Sequence, residues 1–369
     1  MRRTYELPQD GWLEIDESVR RAVSAYLESR VDSRFDEDLL LLAEDELREL
    51  LSYPAVLLAS SATAAAHAVF LKYVSDGHDR VALPTHVYPG IAGAAVTAGL
   101  KLRFVQVDRD LVTTLTPVTE HVALELIHLP WGDTSRPMSL VPASAGRAIV
   151  LDVSHAVPRV SKDLWSASGP SELHAIGSLG PGKFLSGMEL GFVAACNADS
   201  IREVAALGAV RRHRHFGIEP PIATKLRPHP LALVMLRAQL KRLPAKLQAH
   251  DETWSYLVPR LGDIPGVRVV TTSAPSGRIY WRCALELTRL DGTAEGLARF
   301  VAPLRDIGIP VSAPEYLDDV LVTLQAAASP LDAQPAGRLP QRYVCLPGYV
   351  RLSRADCDRL LYALAEALA

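Results

Sequence analysis

Beyond residue 50 the chain alternates short apolar runs with helical stretches, and this alternation narrows the possible folds more than any other feature of the sequence. The runs are AVLLAS (55–60), RVALP (80–84), LRFVQVD (102–108), HVALELIHL (121–129), RAIVLD (147–152), HAIGSL (174–179) and GFVAAC (191–196). Strands joined through helices pair in parallel, and a parallel sheet buries both of its faces. Several of the runs are apolar throughout, as that burial requires. The pattern predicts an α/β chain built on a mostly parallel sheet with helices on both faces.

The flanking regions differ. Residues 1–50 read as an acidic, helical lead-in, with helical apolar spacing in ESVRRAVSAYLESR and FDEDLLLLAEDELRELL. From about Pro230 a long helical segment (231–261) leads into VRVVTT and IYWRCALEL, which alternate like half-exposed strands. A helix from Ala294 to Asp306, the run YVCLP and a terminal helix from Ser353 follow, together predicting a smaller α+β domain. The expected division is a lead-in over 1–50, a large domain over 51–235, and a linking helix with the small domain over 236–369. The stretch from Ala326 to Arg342, carrying Pro330, Pro335 and Pro340, reads as a loop.

Composition removes several functional classes. A formal charge of −3 over 369 residues supplies no general basic surface for nucleic acid. Cys196, Cys283, Cys345 and Cys357 are widely spaced, which favours neither a zinc site nor a disulfide framework, and the histidines have no metal-ligand spacing. No apolar stretch suits a signal peptide or a membrane span. The expectation is a soluble, reduced, cytoplasmic protein.

Ligands of open α/β sheets bind beyond the carboxyl ends of the strands, so the residues that end each run are the candidates for chemistry. After AVLLAS come Ser61, Ala62 and Thr63, a small hydroxyl-bearing turn opening an Ala-rich helix. Such a turn suits a phosphate, although a Ser in that place also serves as a plain helix cap. After RVALP stands Tyr88, an aromatic able to stack on a planar ring or simply to cover the helix start. RAIVLD ends in Asp152, with His155 three residues on. HAIGSL leads through Ser178 to Gly180-Pro181-Gly182-Lys183. Lysine is scarce, with seven in the chain, so its presence in this turn is notable. A phosphate turn, an aromatic, a strand-end Asp and a Lys in this order meet the needs of pyridoxal phosphate. The amine forms a Schiff base with the aldehyde, and the carboxylate pairs with the pyridinium nitrogen.

From about Ala55 onward the chain resembles the DegT/DnrJ/EryC1/StrS aminotransferases. Ser60-Ser61-Ala62-Thr63-Ala64-Ala65 is similar to that family's SSGTAA phosphate segment, and Val81 to Asp108 matches the following strand–helix–strand without a gap. Leu151-Asp152-Val153-Ser154-His155 resembles E-D-x-x-[QH], and Ser178 to Lys183 resembles S-x-x-x-x-K. Lys225-Leu226-Arg227-Pro228 is similar to a segment that, in the family, reaches the phosphate of the neighbouring subunit's cofactor. The ending Arg342 to Pro347 followed by Leu352-Ser353 also matches. The resemblance implies the fold-type I architecture of aspartate aminotransferase, with a mostly parallel seven-stranded sheet and a smaller C-terminal α+β domain. It implies pyridoxal 5'-phosphate as cofactor. Ser61, Ala62, Thr63, Ser178 and Lys225 would serve the phosphate, Tyr88 the ring face, Asp152 the pyridinium, His155 the phenolic oxygen and Lys183 the Schiff base. Lys183, Asp152 and His155 would be catalytic.

The implied activity is transfer of an amino group from Glu or Gln to a keto-sugar, cyclitol or related acceptor in secondary metabolism, by a homodimer with shared sites. The sequence departs from the family pattern at Ala62, which replaces Gly, at Lys225, which replaces Asn, and at Gly187-Met188-Glu189-Leu190-Gly191, which replaces a Gly-rich GEGG segment. These departures lie where substrate should sit. They keep open an elimination or carbon–carbon reaction on the same cofactor, and a non-catalytic role as structural partner of an active enzyme. Lys183 opposes one such alternative, because the family's dehydratases carry His in its place. Arg211-Arg212-His213-Arg214-His215 reads as a solvated or subunit-contact surface, or as a hold for a substrate phosphate. Trp131 reads as a core residue able to line a pocket.

Overall fold

In the computed structural model, the residues described are 15–29, 37–105, 107–110, 123–134, 146–160, 172–196, 198–208, 226–270, 277–313 and 341–369. The lead-in forms two helices, α1 (Glu17–Glu28) and α2 (Glu37–Leu51). Asp16 caps α1, its carboxylate accepting the N–H groups of Ser18 and Val19. In α2 the buried positions Leu40, Ala43, Glu44, Leu47 and Leu51 fall on one helical face. The buried Glu44 carboxylate accepts the Leu58 N–H at 2.6 Å, which fixes α2 to the first strand.

The large sheet has seven strands: β1 (Ala55–Ala59), β2 (Arg80–Pro84), β3 (Lys101–Val105), β4 (Leu124–His128), β5 (Ala148–Asp152), β6 (Glu172–Ser178) and β7 (Gly191–Ala195). Their order is β1-β7-β6-β5-β4-β2-β3. The sheet is parallel except at β7, which runs antiparallel to both β1 and β6. The connection from Leu179 to Leu190 carries no helix, so it cannot make the crossover that a parallel return requires.

Helices α3 (Ala62–Ser75), α4 (Pro89–Ala98) and α5 (Ala198–Gly208) cover one face. Ala65, Ala66, Ala92 and Ala95 there are almost fully buried, and their small side chains let the helices lie close to the strands. On the other face, α2 and the start of α6 (Pro230–Gly262) enclose Leu47, Ile149, Leu151, Phe192, Leu233 and Leu236. Along β5 the division follows the two-residue period of a strand: Ala148 and Val150 enter the first core, Ile149 and Leu151 the second. Burying a side chain such as Phe70 contributes about 1.5–3 kcal/mol.

The 33-residue helix α6 continues past the large sheet to a three-stranded antiparallel sheet, β10-β9-β8. Its strands are β8 (Val267–Val269), β9 (Arg282–Leu287) and β10 (Tyr343–Pro347), backed by α7 (Ala294–Asp306) and α8 (Arg354–Leu368). Contrary to the half-exposed alternation expected of IYWRCALEL, β9 is buried from Cys283 to Leu287. Cys283, Leu285 and Leu287 enter the core beneath α7 and α8. The intervening Glu286 is fully buried yet ionised, meeting Arg109 and Arg342 at 2.8 Å and Arg268 at 2.6 Å. Burial alone would raise its carboxyl pKa, but the arginines hold it below the usual range. Arg109 follows β3 of the large sheet, so this ion cluster ties the two sheets together. The Pro-containing stretch expected to be a loop lies outside the described residues except for Gln341 and Arg342. No helix among the described residues is long and apolar enough to cross a membrane.

Candidate active site

The carboxyl ends of β1, β2, β4, β5 and β6 open on one cavity of about 310 Å³. Ser61, Ala62, Thr63, Tyr88, Asp152, His155, Ser178 and Lys183 all line it, so eight of the nine residues singled out in the sequence converge there. The ninth, Lys225, lies outside the described residues, as does the Arg211–His215 cluster.

Ser61 is the N-cap of α3, its Oγ accepting the Ala64 N–H at 3.1 Å. The plain cap and the cavity-lining residue are therefore the same side chain. An α-helix leaves its first N–H groups without intrahelical acceptors, and Ala62 and Thr63 occupy that anion-favouring turn. The start of β7 presses directly on it: a Cβ added at Gly191 would stand 2.2 Å from the Ala62 nitrogen and 2.5 Å from the Ser61 carbonyl oxygen. Gly191→Ala must push the turn aside. With the turn as the phosphate site that the family resemblance implies, at least about a tenfold loss of pyridoxal phosphate affinity is expected, read by absorbance titration, with little change in secondary structure by circular dichroism.

Tyr88 is the N-cap of α4 and is 48% exposed. Its ring lies over Gly90, where an added Cβ would meet it at 2.5 Å and the Thr63 hydroxyl at 2.9 Å. Asp152 closes β5 and is buried. Its Oδ1 accepts the Ser154 N–H at 3.0 Å, and its Oδ2 lies 3.2 Å from Nδ1 of His128, its register partner on β4. Burial acts to raise the Asp152 carboxyl, but His128 and Ser154 outweigh it and hold the pKa below the usual carboxylate value. The group is a buried anion at neutral pH.

His155 stacks on Trp281 with ring centres 3.8 Å apart and planes at 11°, while His128 meets it edge-on at 4.9 Å. Burial first, then the cation of Lys183, pushes its pKa well below the ordinary histidine value, so the ring is neutral. Its buried Nδ1 has no hydrogen-bond partner among the described residues. Ser178 ends β6, its Oγ accepting the Gly180 N–H at 3.3 Å and its N–H donating to Ser154 Oγ at 3.0 Å. The Lys183 ammonium rests 4.3 Å above the Trp281 ring.

His128, Ser154 and Trp281 were not among the residues singled out. His128 stands at a strand end, the position that marked Asp152, and could have been found by the same rule. Trp281 stands just before β9 of the second sheet, and nothing in its local sequence indicates that contact. Trp131 is both core and wall: it is buried, stacks on Trp281 at 6.1 Å and lines the cavity.

A seven-stranded sheet with one reversed strand, helices on both faces and a C-terminal α+β unit is the architecture of fold-type I pyridoxal phosphate enzymes. The chain belongs to the DegT/DnrJ/EryC1/StrS aminotransferase family, whose model matches residues 14–365. That family comprises pyridoxal phosphate-dependent enzymes, mostly aminotransferases. Among solved structures, the chain is similar to the sugar aminotransferase CalS13 from Micromonospora echinospora, at 18% identity over 96% of this chain and 98% of that one, with a TM-score of 0.77. It is similar to 3-amino-5-hydroxybenzoic acid synthase at 19% identity, covering 99% of each chain, with a TM-score of 0.76. It is also similar to the E. coli GDP-4-keto-6-deoxy-D-mannose-3-dehydratase, solved with bound hydrated cofactor, at 13% identity over 99% of this chain and 100% of that one, with a TM-score of 0.79. At such identities the likeness establishes the fold. No protein of curated function matches the chain by sequence.

Proposed function

We propose that the chain is a pyridoxal phosphate-dependent aminotransferase, moving an amino group from Glu or Gln to a keto-sugar, cyclitol or related keto acceptor in secondary metabolism. The observation that carries this reading is the convergence of Lys183, the buried anion Asp152 and the N-terminus of α3 on one cavity. The residues fit the cofactor. Asp152 is an enclosed negative charge suited to a pyridinium N–H, and His155 presents a buried nitrogen with no hydrogen-bond partner among the described residues. Gly191 keeps the phosphate turn clear of any side chain.

When bound, pyridoxal phosphate supplies an electron-accepting ring conjugated to the reacting amine. Ser61, Ala62, Thr63 and Ser178 hold its phosphate, Tyr88 covers the ring, and His155 meets the phenolic oxygen. Asp152 keeps the ring nitrogen protonated. Lys183 would hold the cofactor through its amine. Freed when an amino donor binds, its Nζ would take the proton from the donor's amine-bearing carbon and return it to the cofactor side, acting first as base and then as acid. The acceptor half-reaction runs the same proton transfer in reverse.

The reading extends to a cytoplasmic homodimer in which Lys225 reaches the partner's phosphate. It extends also to the division into a lead-in, a large domain over 51–235 and a small domain. The test is a single-turnover half-reaction of the purified protein loaded with cofactor. Glutamate or glutamine is expected to yield its 2-oxo acid in amounts stoichiometric with active sites. An intact Lys183-dependent visible absorbance, with no amino-group exchange from any donor, would sink the aminotransferase reading in favour of another reaction on the same cofactor.

A further inference from the structure

Trp281 precedes β9 in the C-terminal sheet, yet its polar and aromatic contacts reach into the large sheet's site. Its indole N–H donates to the Gly182 carbonyl at 2.6 Å, one residue before Lys183. The Lys183 ammonium stands over its ring, and the His155 ring lies parallel to it. Its body is buried in a small cluster with Val107 and Trp131, which follow strands of the large sheet, with Val270, which follows β8, and with Ala284, Tyr343 and Cys345 of the C-terminal sheet. The indole is therefore wedged at the seam, with both its hydrogen-bonding edge and its ring engaged by the lysine turn.

We propose that Trp281 is the positioning residue for Lys183: its N–H pins the Gly182 carbonyl and its ring carries the ammonium, so the C-terminal sheet sets where the amine stands. This rests on the reading of Lys183 as the amine that holds the cofactor. Two consequences follow from the contact itself. An aromatic face attracts the ammonium but not the neutral amine, so Trp281 favours the protonated form against the cation of Arg282, whose guanidinium lies 5.0 Å from the same ring, and beside the neutral His155 ring. The pinned carbonyl confines the turn Gly180–Lys183, which the backbone closes through the Lys183 N–H to the Gly180 carbonyl at 3.1 Å.

The test compares Trp281→Phe and Trp281→Leu with wild type in the full chain freed of cofactor. Each protein is labelled with trace acetic anhydride across a pH series, and Lys183 acetylation is read by peptide mass spectrometry against the exposed Lys101. Leucine keeps apolar bulk without a ring, whereas phenylalanine keeps a weaker ring without the N–H. The labelling midpoint of Lys183 is expected to fall in the order wild type, Phe, Leu, with a drop of about half a pH unit for Leu. Each variant is informative alone, since either is expected below wild type. Midpoints that coincide with wild type, or rise above it, would overturn the proposal. The labelling requires no bound cofactor, so its outcome is separate from the amino-group exchange that tests the function.

Discussion

Lys183→Ala is expected to abolish the visible absorbance that wild type develops with pyridoxal phosphate, and to lower amino transfer by at least about a thousandfold. The size follows from the two tasks given to one side chain. It anchors the cofactor as a nucleophile, and it moves a proton, a contribution worth about 10²–10⁴ in rate by itself. The substitution removes a half-exposed side chain in a turn, so the fold is not at risk. Thermal unfolding should therefore be close to wild type while stopped-flow absorbance shows no donor-induced change. A variant retaining more than a few per cent of activity would displace Lys183 from the role.

The second large effect is at Asp152. Asp152→Asn preserves shape but removes the buried anion, and a loss of about 10²–10³ in kcat is expected, the scale of deleting one preorganised electrostatic partner. The same change has a signed effect on stability. The Asp152 pKa in the folded protein is lowered by His128 and Ser154 against the opposing influence of burial. A carboxyl with a depressed folded pKa stabilises the fold above its unfolded value, about 3.9, and that contribution is lost as pH falls through the folded value. Wild type should therefore melt above Asp152→Asn at pH 7, and the gap should narrow below pH ~4. An equal gap at both pH values would mean that the carboxylate charge is not what His128 and Ser154 hold.

Much of this site was legible because strand ends are legible. Ser61, Tyr88, Asp152 and Lys183 each end or follow an apolar run, and a parallel sheet brings the carboxyl ends of such runs to one edge whatever the helices between them do. The sheet itself was legible for a related reason: strands buried on both faces leave apolar runs without polar gaps. The direction of β7 was not visible, since apolarity carries no strand polarity and only the helix-free connection from Leu179 to Leu190 encodes the reversal. Trp281 was hidden for a different cause. Its neighbours in sequence form an edge-like pattern, but the partners that bury it, Gly182, His155 and Trp131, lie 99, 126 and 150 positions away, so only tertiary packing joins them. Glu286 was concealed likewise, a charge inside a strand whose three arginines come from separate segments.

Helix α6 has a bearing on how such proteins can be recombined. Its 33 residues make a rod of about 50 Å, and both sheets are mounted on it. The boundary expected between residues 235 and 236 falls inside that rod, among Leu233 and Leu236, which belong to the large sheet's core. A hybrid joined there would graft one relative's helix onto another's groove in mid-turn. A junction placed before His229, which caps the helix, instead transfers the rod, the C-terminal sheet and Trp281 as one piece.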